Sequence, residues 1–165
     1  MSKGCKLKWN GREVVDAIDQ VALETAWLMG QDAITQSIND VPLDTGTLRR
    51  SGVVTVDYPP PAAQVYSEAK NGKGKYSESA RDKAPAPPAA DKRNPKVVAS
   101  YNTSYAIRLH ETRWKPRSWK YTASGKRREK PAVGRNKWLE RVLPIIEQRA
   151  RAGFYLRKAK RKVGL

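Results

Sequence analysis

From Gly11 to about Ile38 the apolar residues Val14, Ile18, Val21, Ala22, Leu28, Met29 and Ile34, with Thr25 between them, recur mostly at three- and four-residue intervals. That spacing lines one side of a helix. Asn10 stands where an N-cap belongs, and Glu13, three residues later, is placed to reach back to the cap's N–H. At 1.5 Å per residue the helix runs roughly 40 Å, longer than a small core requires. The surplus suits contacts between subunits.

The pattern then changes period. Val53-Val54-Thr55-Val56-Asp57-Tyr58 is β-branched and stops at Pro59-Pro60-Pro61, which cannot continue a ladder. Gln64-Val65-Tyr66 is a weaker strand candidate and Lys96-Val97-Val98-Ala99-Ser100-Tyr101 a strong one. Antiparallel pairing of the three is the simplest arrangement. Between the last two, residues 67–95 are rich in Lys, Ser, Ala, Gly and Pro, with Ala84-Pro85-Ala86-Pro87-Pro88-Ala89-Ala90 in their second half. So few large apolar side chains cannot offset the entropy of ordering, which predicts an extended loop or arm with polyproline character near Pro87.

Ser104 can cap a short helix over Tyr105 to Glu111. Beyond it Trp114, Trp119 and Tyr121 alternate with Lys115, Arg117 and Lys120. Such a loop either stacks on bases and grips phosphate, as single-strand binders do, or anchors itself to the domain or a neighbouring subunit through its aromatic rings. A last helix is expected from near Asn136, with Leu139, Leu143, Ile146, Ala150 and Phe154 on one face and Trp138 and Val142 beside it. Pro144 should kink or restart it. The fold expected is α+β: a small antiparallel sheet of three or so strands flanked by long N-terminal and C-terminal helices. The 165 residues suit a single domain, with 67–95 as the extended Pro/Ala/Lys-rich loop and 156–165 as a basic tail.

Charge sharpens this picture. The chain has 33 Lys and Arg against 16 Asp and Glu. Residues 1–104 carry 14 basic and 12 acidic groups, and residues 105–165 carry 19 and 4, so nearly all the positive field belongs to the last third. Such polarity calls for an anionic partner or lumen. Arg117, Lys120, Lys126, Arg127 and Arg128, with Lys158, Lys160, Arg161 and Lys162 in the C-terminal run, are the candidates for contact with DNA or an acidic partner. For that run, a solvated face is the default reading.

Catalytic chemistry is hard to assemble from these residues. His110 is the only histidine, and adjacent helical side chains such as His110 and Glu111 are expected to point apart. No HExxH, CxxC or clustered carboxylate spacing is present, and Gly72-Lys73-Gly74-Lys75 lacks the spacing of a phosphate loop. Cys5 is the single cysteine, so no disulfide framework can form within the chain, which fits synthesis in a reducing compartment. The basic start has no apolar run behind it, and no stretch approaches ~18 consecutive apolar residues. Secretion and membrane insertion are not expected, which also discounts the sequon Asn102-Thr103-Ser104. No cofactor, metal or enzymatic activity is expected.

Two segments carry a more specific signal. Pro42-Leu43-Asp44-Thr45-Gly46-Thr47-Leu48-Arg49-Arg50-Ser51 has the chemistry of a rigid capped turn: Pro42 fixes φ, Asp44, Thr45 and Thr47 accept from nearby N–H groups, and Gly46 allows the bend. Some fifty residues later comes Tyr105-Ala106-Ile107-Arg108-Leu109-His110-Glu111. In this order, between a long N-terminal helix and a closing amphipathic one, the pair resembles the phage tail-completion or neck protein family, whose relatives are often called minor capsid or head-tail joining proteins. Where many relatives have Gly shortly after the Glu, this chain has Thr112-Arg113-Trp114 and a basic insertion. The resemblance implies a non-enzymatic virion protein made in the host cytoplasm. It implies a homo-oligomeric ring, six-fold favoured over twelve-fold, meeting connector or stopper and tail proteins, with packaged DNA as a further contact and no membrane. Pro42, Asp44, Thr45, Gly46, Leu48 and Ser51 are then structural turn residues, and Tyr105, Glu111, Trp114, Trp119, Tyr121 and Trp138 are interface candidates. A basic nucleic-acid-binding protein is the alternative, and an enzyme with an unrecognised site the third.

Overall fold

The computed structural model describes residues 10–42, 47–60, 86–112 and 134–165. Its elements are α1 (Gly11–Ser37), α2 (Thr47–Arg50), β1 (Gly52–Val56), β2 (Val97–Tyr101), α3 (Ala106–Glu111), α4 (Trp138–Arg151) and α5 (Phe154–Val163). This is an α+β arrangement with a small antiparallel sheet and flanking helices, as the sequence predicts. Among the described residues the sheet has two strands, paired Gly52 with Tyr101 through Val56 with Val97. Gln64-Val65-Tyr66 falls outside the described residues.

Helix α1 follows its apolar repeat and starts where expected. Asn10 occupies the cap position but its side chain makes no capping hydrogen bond. Two core clusters form along α1. One gathers Leu23, Trp27 and Ile34 with Val41, Leu48, Val54, Tyr101 and Trp138, so it joins α1 to the sheet. The other gathers Val21, Leu28 and Ala33 with Val142, Ile146, Tyr155 and Ala159, so it joins α1 to α4 and α5. A two-stranded sheet is marginal alone, and α1 supplies the apolar surface that it needs.

Four sequence expectations change in the C-terminal third. The buried stripe of α4 is Trp138, Val142 and Ile146, whereas Leu143 and Phe154 are exposed. Lys137 enters the helix in the left-handed region (φ 54), and Trp138 directly after it packs inward against Tyr101 and His110. Trp138, proposed as an interface residue, is 1 % exposed and belongs to the core. Helix α4 also runs through Pro144 without restarting, and the helix ends instead just before Gly153 (φ 69). There the chain folds back into α5, which occupies most of the segment expected as a basic tail. Tyr155, Ala159 and the partly buried Val163 recur every four residues and seat it on α1.

The loop at 67–95 is described from Ala86 onward, and that part is tied down. Ala86 N–H donates to Glu24 Oε1 at 2.8 Å, Ala90 N–H to Asp57 Oδ2 at 2.5 Å, and Ala89 packs against the core.

Gly30 marks the closest approach of α1 to the sheet. A Cβ there would stand 2.8 Å from Cγ1 of both Val54 and Val97. Helix propensity alone favours Ala over Gly by about 1 kcal/mol, but overpacking costs about 1–3 kcal/mol, and valine side chains are stiff. Gly30→Ala should therefore lower stability in urea unfolding, and shortening Val97 to Ala in the same chain should recover part of the loss.

Candidate functional site

The capped turn and the aromatic segment lie fifty residues apart in sequence and meet in space. Leu48 is buried, and the fully buried Ser51 donates from its hydroxyl to Leu48 O at 2.7 Å, closing the end of the turn. Arg49 reaches back with Nε to Val41 O at 3.1 Å. Ser51 O then accepts the N–H of Asn102 at 3.1 Å, so the chain leaving the turn is bonded to the chain entering the Tyr105–Glu111 segment. Tyr101, at this junction, shares a 2.7 Å hydrogen bond with Ser37 and meets Trp138 edge to face. Pro42 is buried nearby. Asp44, Thr45 and Gly46 lie outside the described residues.

Helix α3 closes on a polar cluster. His110 stacks edge to face on Trp138 at 4.6 Å. Its Nδ1 lies 3.0 Å from Glu111 Oε1, so the two neighbours do pair, contrary to the sequence expectation. Glu111 is the last residue of a six-residue helix, where no following turn stops its side chain curling back. His110 Nε2 is 2.7 Å from Glu140 Oε2 but off the ring's N–H direction, so it has no hydrogen-bond partner. Lys137 Nζ bridges the carboxylates, bonded to Glu111 and 3.3 Å from Glu140 Oε1. Hydrogen bonds from Lys137 and His110 lower the Glu111 pKa, and the bond to Glu111 raises that of Lys137. His110, Glu111 and Glu140 are close enough to ligate one ion. The ammonium of Lys137 already sits between the two carboxylates, so the cluster works as an ion-pair clamp between α3 and the start of α4.

Two further polar contacts pin α5 to α1, and neither is visible in sequence. Asp32 Oδ2 accepts from Arg149 Nη1 at 2.5 Å and from the Tyr155 hydroxyl at 2.6 Å, while Oδ1 accepts from Gln36 at 3.1 Å. Burial pushes the Asp32 pKa up, but the hydrogen bonds from Tyr155, Arg149 and Gln36 outweigh it and hold the carboxyl below its ordinary value. Burial, then the bond to Asp32, pushes the Tyr155 phenol up. Glu24, 3 % exposed, places Oε2 3.3 Å from Lys162 Nζ while Oε1 holds Ala86. No sequence signal links residues so far apart, although a Glu inside an apolar stripe hints at a buried partner.

The basic candidates divide accordingly. Lys162 is engaged by Glu24, whereas Lys158, Lys160 and Arg161 are exposed on α5. Arg117, Lys120, Lys126, Arg127 and Arg128 lie outside the described residues, as do Trp114, Trp119 and Tyr121. Tyr105 is 40 % exposed, just before α3, and Glu111 is exposed in its cluster. Among the described residues no helix is long and apolar enough to cross a membrane. No protein-family model, curated protein or solved structure matches the chain.

The two pins make opposite demands on pH. The depressed Asp32 carboxyl contributes stability that is present above its unfolded value near 3.8 and is lost as pH falls through the lower folded value. The raised Tyr155 phenol contributes stability that is present below its unfolded value of 10 and is lost as pH climbs beyond it. Asp32→Asn should cost about 2 kcal/mol at neutral pH and flatten the acid limb of the stability profile. Lys162→Met should cost about 3 kcal/mol by leaving Glu24 buried without its counter-charge. Glu24→Gln in the same chain should return part of that loss, as chemical unfolding would register.

Proposed function

We propose that this chain is a structural protein of a tailed-phage virion neck, forming a homo-oligomeric ring at the head–tail junction that joins or completes the tail. The observation that carries the reading is the meeting of the two family-like segments: the turn ending at Ser51 bonds to Asn102 at the entry to Tyr105–Glu111. Side chains that tie backbone together, as Ser51 does to Leu48 O and Arg49 to Val41 O, build a rigid frame rather than polarise a substrate. Helix α1 adds support, because its first turns precede its first buried residue, Val21, and so extend beyond the core.

A second reading, a basic nucleic-acid-binding protein, is favoured by the exposed Arg157, Lys158, Lys160 and Arg161 on α5. The two readings share a surface in a neck, where DNA passes through the channel. Salt separates them: phosphate contacts weaken steeply as salt rises, whereas a ring held by apolar packing keeps its size.

The neck reading expects purified virions to carry the chain at the head–tail junction, as labelling and imaging of particles would show. Its presence only in host extract, or free on DNA, would remove it. Neutralising Lys158, Lys160 and Arg161 together, with Lys162 left to hold Glu24, should preserve the melting temperature. The salt slope of DNA binding should flatten by up to about one unit for each phosphate that the variant no longer neutralises. Equal slopes for variant and parent would take DNA binding away from α5.

A further inference from the structure

The apolar stripe of α1 is longer than the part the chain covers. At 100° per residue, Val14 and Ile18 stand in line with Val21, Thr25 and Leu28. From Val21 onward α4 and α5 close over this face. Helices α1 and α5 run antiparallel, with Tyr155 opposite Asp32 and Lys162 opposite Glu24, so α5 ends before it reaches the first turns of α1. Val14, Val15 and Ile18 are left 56, 47 and 59 % exposed, adjacent in one turn and flanked by Glu13 on one side and Asp19 on the other. Scattered exposed apolar residues are ordinary, but three large ones continuing a buried stripe mark a contact surface.

A surface of opposite character lies at the other end of the chain. Residues 138–165 hold eight Lys and Arg against two Glu. On the outer face of α5, Phe154, Lys158 and Arg161 align at i, i+4 and i+7 with Arg157 beside them. Phe154 is 38 % exposed, with Lys158 Nζ 5.1 Å and the Arg149 guanidinium 6.0 Å from its ring centre. The first face is apolar with an acidic rim, and the second is basic around one partly exposed aromatic ring.

We infer that the first turns of α1, from Glu13 to Asp19, dock against the outer face of α5, from Phe154 to Arg161, in a second copy of this chain. The occupant follows from charge: the acidic rim repels nucleic acid, and the chain itself supplies the basic, apolar complement. The two surfaces are different and lie on separate helices of each subunit, so the contact is head to tail. It closes into a ring when the rotation between neighbours divides a full turn. The apolar patch supplies the affinity, and the rims set orientation and encounter rate. Rising salt therefore slows assembly without dissolving the product. The inference rests on the ring reading and names the contact that builds it.

Sedimentation of the full chain over a micromolar series provides the test. The parent should associate. Glu13→Lys with Asp19→Lys should weaken association at least tenfold, and so should Arg157→Glu with Arg161→Glu. All four changes in one chain should restore association to within a few-fold of the parent. Ile18→Ser and Phe154→Ser, both at exposed positions, should weaken association with melting temperatures unchanged, which separates a docking defect from a folding defect. Association that is equal in the parent and every variant overturns this contact and leaves the ring reading standing on some other surface. A parent that stays monomeric throughout overturns the contact, and imaging of the virion neck then decides the ring reading by itself.

Discussion

Everything in this protein depends on α1 having two apolar faces. One takes the sheet, through Trp27, Gly30 and Ile34 against Val54, Val97 and Tyr101. The other takes the C-terminal helices, through Val21 and Leu28 against Val142, Ile146 and Tyr155. Neither partner is self-sufficient: a two-stranded sheet is marginal in water, and α5 is too short to be stable alone. The helix works as a spine, and its polar residues are placed to match. Glu24 lies where the two faces give way to each other and Asp32 lies on the face toward the C-terminal helices, and each binds those helices through a charged or hydroxyl group. Glu24 also receives Ala86, so the start of the described proline-rich segment and the end of the chain share one carboxylate.

The elements with a clean period were legible in the sequence. Alternation of three and four residues marked α1, β-branched runs marked β1 and β2, and the short aromatic helix began within a residue of its expected start. Faces were harder to read. In α4 the apolar residues Leu139, Val142, Leu143, Ile145 and Ile146 spread over roughly 160° of the helix, so periodicity left a choice between neighbouring stripes within that arc. The buried side is the one that carries Trp138, which fits against Tyr101 and His110. In α5 the buried positions are Tyr155 and Ala159 among five cations, and a stripe whose central residue is alanine is faint beside so much charge.

The polar contacts were the least legible. His110 and Glu111 are neighbours on a helix, and helical geometry alone separates them. They come together because the helix ends there and Lys137 and Glu140 arrive from another element. The pairs Asp32 with Arg149 and Glu24 with Lys162 span more than a hundred residues, a distance over which a single sequence carries no pairing information. By contrast, the turn before Ser51 announced itself through residue types suited to capping; its expected capping side chains lie outside the described residues, and the described end is closed instead by the Ser51 hydroxyl donating to Leu48 O.

The fold-back at Gly153 has one more consequence. Two residues separate α4 from α5, Ala152 and the left-handed Gly153, and α5 is held to α1 by a few side chains on one face. If a residue that resists positive φ took the place of Gly153, the two helices would favour one straight rod from Trp138 to Val163. The rod would carry Tyr155 and Ala159 away from their own α1. In the head-to-tail array proposed above, an equivalent α1 on the next subunit would offer the displaced segment the groove it left. On that proposal the same set of contacts would be satisfied either within one chain or between two, and the backbone preference of Gly153 would decide which.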